Sequence, residues 1–156
     1  MANYNTSEEI EIALAEYFGI RTCLVVPNVS WGLTNHECDI AVLTPASCLY
    51  EIEIKISKSD LIADKQKRHG HHSNIIRELY FAMPLKLIDS IEHVPLRAGI
   101  LIVHENGRVE LKRKPGLNKY ARKLTDKERY QLARLGTMRI WKLKKRLLGE
   151  KGFIMI

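Results

Sequence analysis

The first apolar pattern along the chain is helical. Apolar residues recur there at intervals of three and four, which predicts a helix with one buried face. They are Ile10, Ala13, Leu14, Tyr17 and Phe18. Thr6 or Ser7 is suited to cap the start of this helix, and the glutamates that follow suit the positive end of its dipole. Gly19 is expected to end it.

Short apolar segments then alternate with turn signals and predict a series of strands. The predicted strands cover 22–26, 36–44, 48–57, 78–82, 98–103 and 108–112. The segment 27–32 is interpreted as a loop or a bulged strand end. Asn106-Gly107 is typical of a two-residue type I′ turn between the last two strands.

Three further helices are expected between and after these strands. One starts at a cap on Ser59 or Asp60 and runs to about residue 68, and a short one covers 84–91. The last follows a capping-box pattern from Thr125 to Glu128 and runs to about residue 148, with Gly136 inside it. The resulting order, α-β-β-β-α-β-(α)-β-β-α, predicts an α/β sheet protein, and 156 residues suggest one domain.

The strand over 48–57 carries the clearest period of two. Its alternation places Glu51, Glu53 and Lys55 on one face and a row of isoleucines on the other. Asp39 interrupts the apolar strand before it, although aspartate is a poor strand former. Because the connection between the two strands is short, we expect a hairpin that brings Asp39 close to Glu53.

Two carboxylates beside a lysine favour phosphate chemistry with a metal ion. Converging carboxylates repel each other unless a cation lies between them, and Mg²⁺ prefers a few carboxylates together with phosphate oxygens. A nearby ammonium group can neutralise charge that develops during the reaction. The same alternation is also typical of the solvent-facing side of an antiparallel hairpin, which is the simpler interpretation.

The charge is distributed unevenly along the chain. The protein carries 25 Lys and Arg against 18 Asp and Glu, a net charge of +7. Residues 112–151 hold 15 of the basic residues and only three acids. A basic arm on an acidic body indicates a polyanion partner, and a membrane surface or a solvated helix face fits too. The expected nucleic-acid contacts are Lys58, Lys65, Arg139, Lys142 and Lys145.

These residues resemble the PD-(D/E)XK nuclease superfamily. Asp39 is followed after 13 residues by Glu53-Ile54-Lys55, between a glutamate-bearing helix and a second helix. The resemblance includes small uncharacterised phage and bacterial members and Holliday-junction-resolvase-like nucleases. It implies a restriction-endonuclease-like αβββαβ core over about 7–112, with a mixed central sheet flanked by helices. A basic C-terminal helical arm over about 117–150 would complete a single domain spanning 1–156.

The resemblance also implies an activity and roles for individual residues. It implies a Mg²⁺-dependent nuclease acting on DNA, with Mn²⁺ as an alternative ion. Asp39 and Glu53 would bind the metal and Lys55 would assist. In the family a helical glutamate often adds a ligand, for which Glu9 is favoured, with Glu11 and Glu51 as alternatives. The residue before Asp39 is Cys38, where the family motif has proline.

Two other function classes stay open at this point. One is a non-catalytic nucleic-acid-binding protein on a nuclease-like fold, and the other is a domain whose basic helix meets an acidic protein. Many relatives form dimers, so a homodimer is an option. Walker, dinucleotide-binding and nucleophile-elbow motifs are absent from the sequence, so the corresponding enzyme classes have no support.

Further features bear on location and on minor sites. Three cysteines without CxxC spacing indicate reduced thiols in the cytoplasm. The polar, acidic start does not resemble a secretory signal, and no apolar run approaches the roughly 20 residues of a membrane span. His69, His71 and His72 are interpreted as a polar loop rather than a zinc site, and Trp31 as a base-stacking or buried residue.

Overall fold

The computed structural model describes residues 5–29, 37–65 and 73–149. Its helices are α1 (Ser7–Phe18), α2 (Lys58–Asp64), a 3₁₀ helix (Leu85–His93) and α3 (Asp126–Gly149). Its strands are β1 (Leu24–Val29), β2 (Cys38–Leu43), β3 (Leu49–Ile54), β4 (Ile76–Pro84), β5 (Gly99–Val103) and β6 (Val109–Arg113). The predicted order of elements is therefore confirmed.

The strands form one six-stranded mixed sheet in the order β1-β2-β3-β4-β5-β6. β1, β2 and β3 are a meander of antiparallel strands, whereas β3, β4 and β5 run parallel and β6 returns antiparallel. A parallel pair needs a crossover connection, and the chain forms one through α2 and another through the 3₁₀ helix. The fold is thus a mixed α/β sheet with helices.

Apolar residues cover both faces of this sheet. On one face α1 buries Ile10 and Leu14 against Ile40 and Ile52 of the hairpin. On the other face α2 and the 3₁₀ helix pack against Phe81, Met83 and Ile100. The central strands therefore lie between two layers of helices, so any polar side chain on them is taken out of water.

Two caps decide where the helices begin. The Thr6 hydroxyl accepts a hydrogen bond from the Glu9 amide at 3.3 Å, and α1 ends before Gly19 at φ 89°. The predicted start of α2 was wrong. Its cap is Ser57, whose hydroxyl oxygen accepts from the Asp60 amide at 3.2 Å, so the helix starts at Lys58.

Two local predictions about turns and loops can be compared with the structure. Of the two alternatives for residues 27–32, the described part agrees with a strand end, because β1 continues through Asn28, at φ 53°, to Val29. The turn before β6 is not type I′, because Asn106 has no positive φ and only Gly107 does, at 87°. The Gly107 amide donates to the His104 carbonyl, and the Asn106 side-chain oxygen accepts from the Arg108 amide, which holds a longer turn.

The first half of α3 packs against the body through Leu132, and Arg139 in its second half donates a hydrogen bond to the Asn28 carbonyl. The capping box is confirmed, since Glu128 and Thr125 exchange backbone-to-side-chain hydrogen bonds at 2.9 and 3.2 Å. Leu132 is buried, and a Cβ at Gly136 would lie 3.3 Å from Val26, so glycine permits close packing without breaking the helix. The second half leaves Trp141 and other apolar residues exposed. Within the described ranges, no helix combines the length and apolar character needed to cross a bilayer.

Candidate active site

The candidate site begins where the β2–β3 ladder ends. The two strands pair regularly from Leu43 and Leu49 to Ile40 and Ile52. At the next position the Asp39 carboxylate accepts a hydrogen bond from the Ile54 amide at 2.7 Å. The predicted hairpin is confirmed, and Asp39 touches the peptide that joins Glu53 to Ile54.

The carboxylate of Asp39 lies on the wall of an open groove of about 620 Å³. Its acidic side chains are Asp39, Glu8 and Glu11. Backbone from β1 and β3 forms another part of the lining. Glu53 and Lys55 do not line this groove, so the structure does not place the three central predicted residues on one open surface.

Among the helical glutamates, Glu8 and Glu11 line the groove, and the charge of Asp39 acts on Glu11. Burial raises the pKa of Glu11, and the negative charges of Glu8 and Asp39 raise it further. Glu9, which the sequence favoured, lies at the helix cap, where its carboxylate accepts from the Thr6 hydroxyl at 2.7 Å. The structure therefore places Glu11, rather than Glu9, beside Asp39.

Glu53 and Lys55 belong to a buried charged cluster. Its members are Glu51, Glu53, Lys55 and Asp64, with exposed fractions of 0, 3, 6 and 4%. The simpler interpretation of the alternating strand, a solvent-facing side, is wrong because α2 and neighbouring segments cover it. Ile52 does face the opposite layer as expected, but Ile54 is only half-buried. A buried charge is costly unless it is paired, so these residues have to compensate one another.

Lys55 is held on three sides. Its ammonium nitrogen lies 2.9 Å from a carboxylate oxygen of Asp64 and 4.0 Å from one of Glu53. The Phe81 ring centroid is 5.7 Å away, within the range of a cation–π contact. The ammonium group is thus fixed next to the Glu53 carboxylate, as the sequence predicted, but through a partner on α2.

Two residues near Lys55 and Glu53 were not predicted from the sequence. Asp64 lies three residues after buried Leu61 on α2, and this spacing is the signal that could have placed it inward. The side chain of Arg97 was not singled out. Burial lowers the pKa of Arg97, while the charges of Glu51 and Asp64 counteract that effect. Arg97 therefore extends the charged cluster toward the start of β5.

Cys38 lies between the two acidic regions. Burial raises the pKa of its thiol, and the charges of Glu51, Glu53 and Asp39 raise it further, in that order. All three carboxylates therefore act on one buried thiol, although Asp39 lines the groove and the glutamates are buried. Cys38 stays protonated at neutral pH, and with Cys23 and Cys48 it is free of disulfides.

A basic wall faces the acids across the groove. Arg139, Lys142 and Arg146 project from the second half of α3 into the lining. Arg139 also donates a hydrogen bond to the backbone carbonyl of Asn28, which ties α3 to β1. Because these three positions lie within two turns of one helix, their charges act on the same stretch of the groove.

The other predicted nucleic-acid contacts lie elsewhere. Lys145 is exposed on α3 but does not line the groove. Lys58 and Lys65 are exposed at the two ends of α2, and the Lys65 ammonium lies 3.1 Å from a ring nitrogen of His93. The predictions for Trp31 and for His69, His71 and His72 concern residues outside those that the structure describes.

The donor set determines whether a divalent ion fits. Over residues 5–29, 37–65 and 73–149, no three His, Cys, Asp or Glu side chains form a group that could hold a metal ion. Mg²⁺, however, is commonly held by one or two carboxylates together with water and substrate phosphates. A carboxylate that accepts one backbone amide, as Asp39 does, has a second oxygen to offer. Asp39 with either Glu53 or Glu11 therefore supplies suitable chemistry.

Comparisons with known proteins give a similarity in fold. The chain is similar to the solved structure of SPO1766, a protein of unknown function from Silicibacter pomeroyi, with a TM-score of 0.66 and 18% identity. The alignment covers 96% of each chain, so the two share an architecture from end to end. No family model and no curated protein matches the sequence.

Proposed function

We propose that the protein is a Mg²⁺-dependent nuclease that hydrolyses phosphodiester bonds of DNA. The observation that carries this proposal is the position of Asp39. Its carboxylate is 2.7 Å from the amide that follows Glu53 and lies on a groove whose opposite wall is cationic. Carboxylates for a cation and a wall of cations for phosphates are what phosphodiester hydrolysis needs in one place.

The arrangement of elements supports the finer fold assignment. The first six elements run α-β-β-β-α-β, with α1 on one face of the mixed sheet and α2 on the other. This agrees with the restriction-endonuclease-like core that the Asp39 and Glu53-Ile54-Lys55 pattern implies. Asp39 of β2 lies against the Glu53–Ile54 peptide of β3, which supports a metal site shared by these two neighbouring strands.

Each group has a proposed role. Asp39 and Glu53 hold the divalent ion, with Glu11 as the helical acid beside Asp39. When bound, such an ion activates water and stabilises charge on the phosphoryl group. Lys55, fixed beside Glu53, supplies positive charge at the reacting phosphate. Arg139, Lys142 and Arg146 bind neighbouring phosphates and hold the strand along the groove.

One observation favours a second function. Glu53 and Lys55 are almost completely buried, and Lys55 already pairs with Asp64. If this arrangement persists when nucleic acid binds, the groove would retain its basic wall but not the complete catalytic set. The protein would then be a non-catalytic nucleic-acid-binding module on a nuclease-like fold.

A cleavage assay separates the two functions. The protein is incubated with supercoiled plasmid, linear duplex and single-stranded DNA in Mg²⁺, in Mn²⁺ and in EDTA. The proposal expects cutting in both metals and none in EDTA, lost in Asp39→Asn and Glu53→Gln but retained in Glu16→Gln. Glu16 is an exposed acid on α1 and serves as the matched control. Salt-sensitive binding without cutting of any substrate would support the binding module instead.

A further inference from the structure

We propose that Asp64 is the positioning residue for Lys55, so that α2 sets the geometry of the candidate active site. The inference rests on the proposed nuclease function for its consequence in catalysis, but its structural part can be tested without nucleic acid. Nothing in the strand pattern around Lys55 indicates this role, because Asp64 lies on a different element.

The contacts of Lys55 single out Asp64 as its main anchor. The Lys55–Asp64 distance is 2.9 Å, that of a charge-assisted hydrogen bond, whereas the nearest oxygen of Glu53 is 4.0 Å away. The side chains of Lys55 and Asp64 are 8% and 3% exposed, so water screens their attraction little. The ring of Phe81 limits movement of the ammonium group on a further side.

Stability alone does not explain an aspartate at this position. Asp64 is the last residue of α2, where the helix dipole disfavours a negative charge. It is also buried, and replacing a buried ion pair by apolar residues of similar size is often neutral or stabilising. An apolar residue three positions after Leu61 would extend the packed face of α2. The charge is therefore better explained by what it holds in place.

The position of Asp64 connects α2 to the acids of β3. The charge of Asp64 also acts on Arg97, together with that of Glu51. Asp64 thus interacts with two cations: it pairs with Lys55 at 2.9 Å, and its charge acts on Arg97. A displacement of α2 would move the Lys55 ammonium group relative to Glu53, which gives this short helix control over the site.

The first test uses the full-length protein without metal or nucleic acid. Lys55 is acylated with an amine-reactive reagent, and its rate of modification is measured by mass spectrometry relative to exposed Lys58. In Asp64→Asn the relative rate at Lys55 is expected to rise by about tenfold, as for a lost charge-assisted hydrogen bond. Asp60→Asn, an exposed position on the same helix, should leave the rate unchanged.

The second test separates positioning from simple structural support. Asp64→Glu keeps the ion pair but moves the carboxylate by one methylene group. We expect Lys55 to remain protected in this variant while kcat falls and KM stays near that of the wild type, as for a group that acts only in the transition state. Asp64→Asn should lower kcat by about tenfold, and melting curves establish that each variant is folded.

The outcomes distinguish this inference from the proposed function. If both Asp64 variants label Lys55 at the wild-type rate and cut at the wild-type rate, Asp64 has no positioning role. If the wild-type protein cuts no substrate, the nuclease proposal fails, and the labelling of Lys55 in Asp64→Asn alone decides whether Asp64 anchors it. Faster labelling then supports the anchor, and unchanged labelling overturns it.

Discussion

The open groove and the buried charged cluster are adjacent, but they differ in their exposure to solvent and in the arrangement of their charges. The groove is wide and has acids on one side and cations on the other. The cluster is almost without solvent, and within it Lys55 and Asp64 form an ion pair at 2.9 Å. Both meet at the Glu53–Ile54 peptide, which Asp39 contacts from the groove and from which the Glu53 side chain enters the cluster.

Charged residues therefore have different effects in the two regions. In the groove, exposed cations would attract the proposed nucleic acid and should act weakly on stability, because water and salt screen them. In the cluster, each charge depends on its partner, because an uncompensated buried charge is costly. Substitutions in the cluster should therefore act first on folding, and substitutions in the groove on binding and activity.

The largest effect is expected from breaking the cluster. Lys55→Ala removes the buried cation that contacts Asp64 at 2.9 Å and Glu53 at 4.0 Å, which should lower the free energy of unfolding by about 3–5 kcal/mol. Urea unfolding followed by circular dichroism measures the loss. Exposed Lys58→Ala, on the neighbouring helix, should change the stability little. A loss as small as that of the control would mean that the cluster is solvated.

A smaller change in stability but a strong change in activity is expected at Asp39. Asparagine can still accept the hydrogen bond from the Ile54 amide, so Asp39→Asn should stay folded. It loses the charge that would hold a divalent ion, and cleavage should fall by about 100-fold, or about 2.7 kcal/mol in the activation barrier. Wild-type cleavage by a folded Asp39→Asn protein would exclude Asp39 as a ligand.

The basic wall should act on binding in a graded way. Lys142→Ala removes one contact with phosphate and should reduce the slope of log K against log salt by about one. Lys145→Ala is the matched control, because Lys145 is exposed on the same helix but lies off the groove. Fluorescence anisotropy with a labelled oligonucleotide at several salt concentrations measures both slopes. Equal slopes for the two variants would mean that nucleic acid lies elsewhere on α3.

The smallest effect is expected far from the site, at the start of α3. Hydrogen bonds of 2.7 and 2.9 Å from Arg122 lower the pKa of Glu128 from its usual 4.5 to about 2. A lowered folded-state pKa stabilises the protein above pH 4.5, and this contribution is lost as the pH falls through about 2. Glu128→Gln should therefore melt lower than the wild type at neutral pH.

The pH dependence provides the check on that prediction. Glutamine preserves the capping box, so the difference isolates the charge. The gap in melting temperature between the wild type and Glu128→Gln should narrow as the pH is lowered from 4.5 toward 2. Asp126→Asn, at a fully exposed position, is the control. A gap that stays constant with pH would show that the charge of Glu128 is not its cause, and no gap at neutral pH would show that the ion pair contributes nothing.

Much of the fold could be predicted from periodicity. The strand with Glu51, Glu53 and Lys55 and its hairpin partner were predicted because alternation and a short connection determine them. The direction of Asp39 could not be predicted, since it depends on where the ladder ends. The burial of Asp64 was missed because it lies on α2, and the strand pattern does not indicate which side chains of that helix face the sheet.

The basic C-terminal arm was likewise only partly predictable from the sequence. Its capping box and helix are evident from Thr125 and Glu128, and its charge from composition. Which cations meet the groove depends on how α3 crosses β1, and close packing at Gly136 against Val26 sets that crossing. The sequence therefore indicated a basic surface, but only the structure shows that Lys142 lines the groove and that Lys145 does not.

The proposed function requires Asp39 and Glu53 to bind the same metal ion, although Asp39 lines the groove and Glu53 is buried. Mn²⁺ affinity measured by titration calorimetry for the wild type, Asp39→Asn, Glu53→Gln and the double variant tests it as a double-mutant cycle. We expect each single variant to weaken Mn²⁺ binding by about tenfold or more. The double variant should lose less free energy of binding than the sum of the two single losses. Additive losses, or wild-type affinity in both folded single variants, would contradict it.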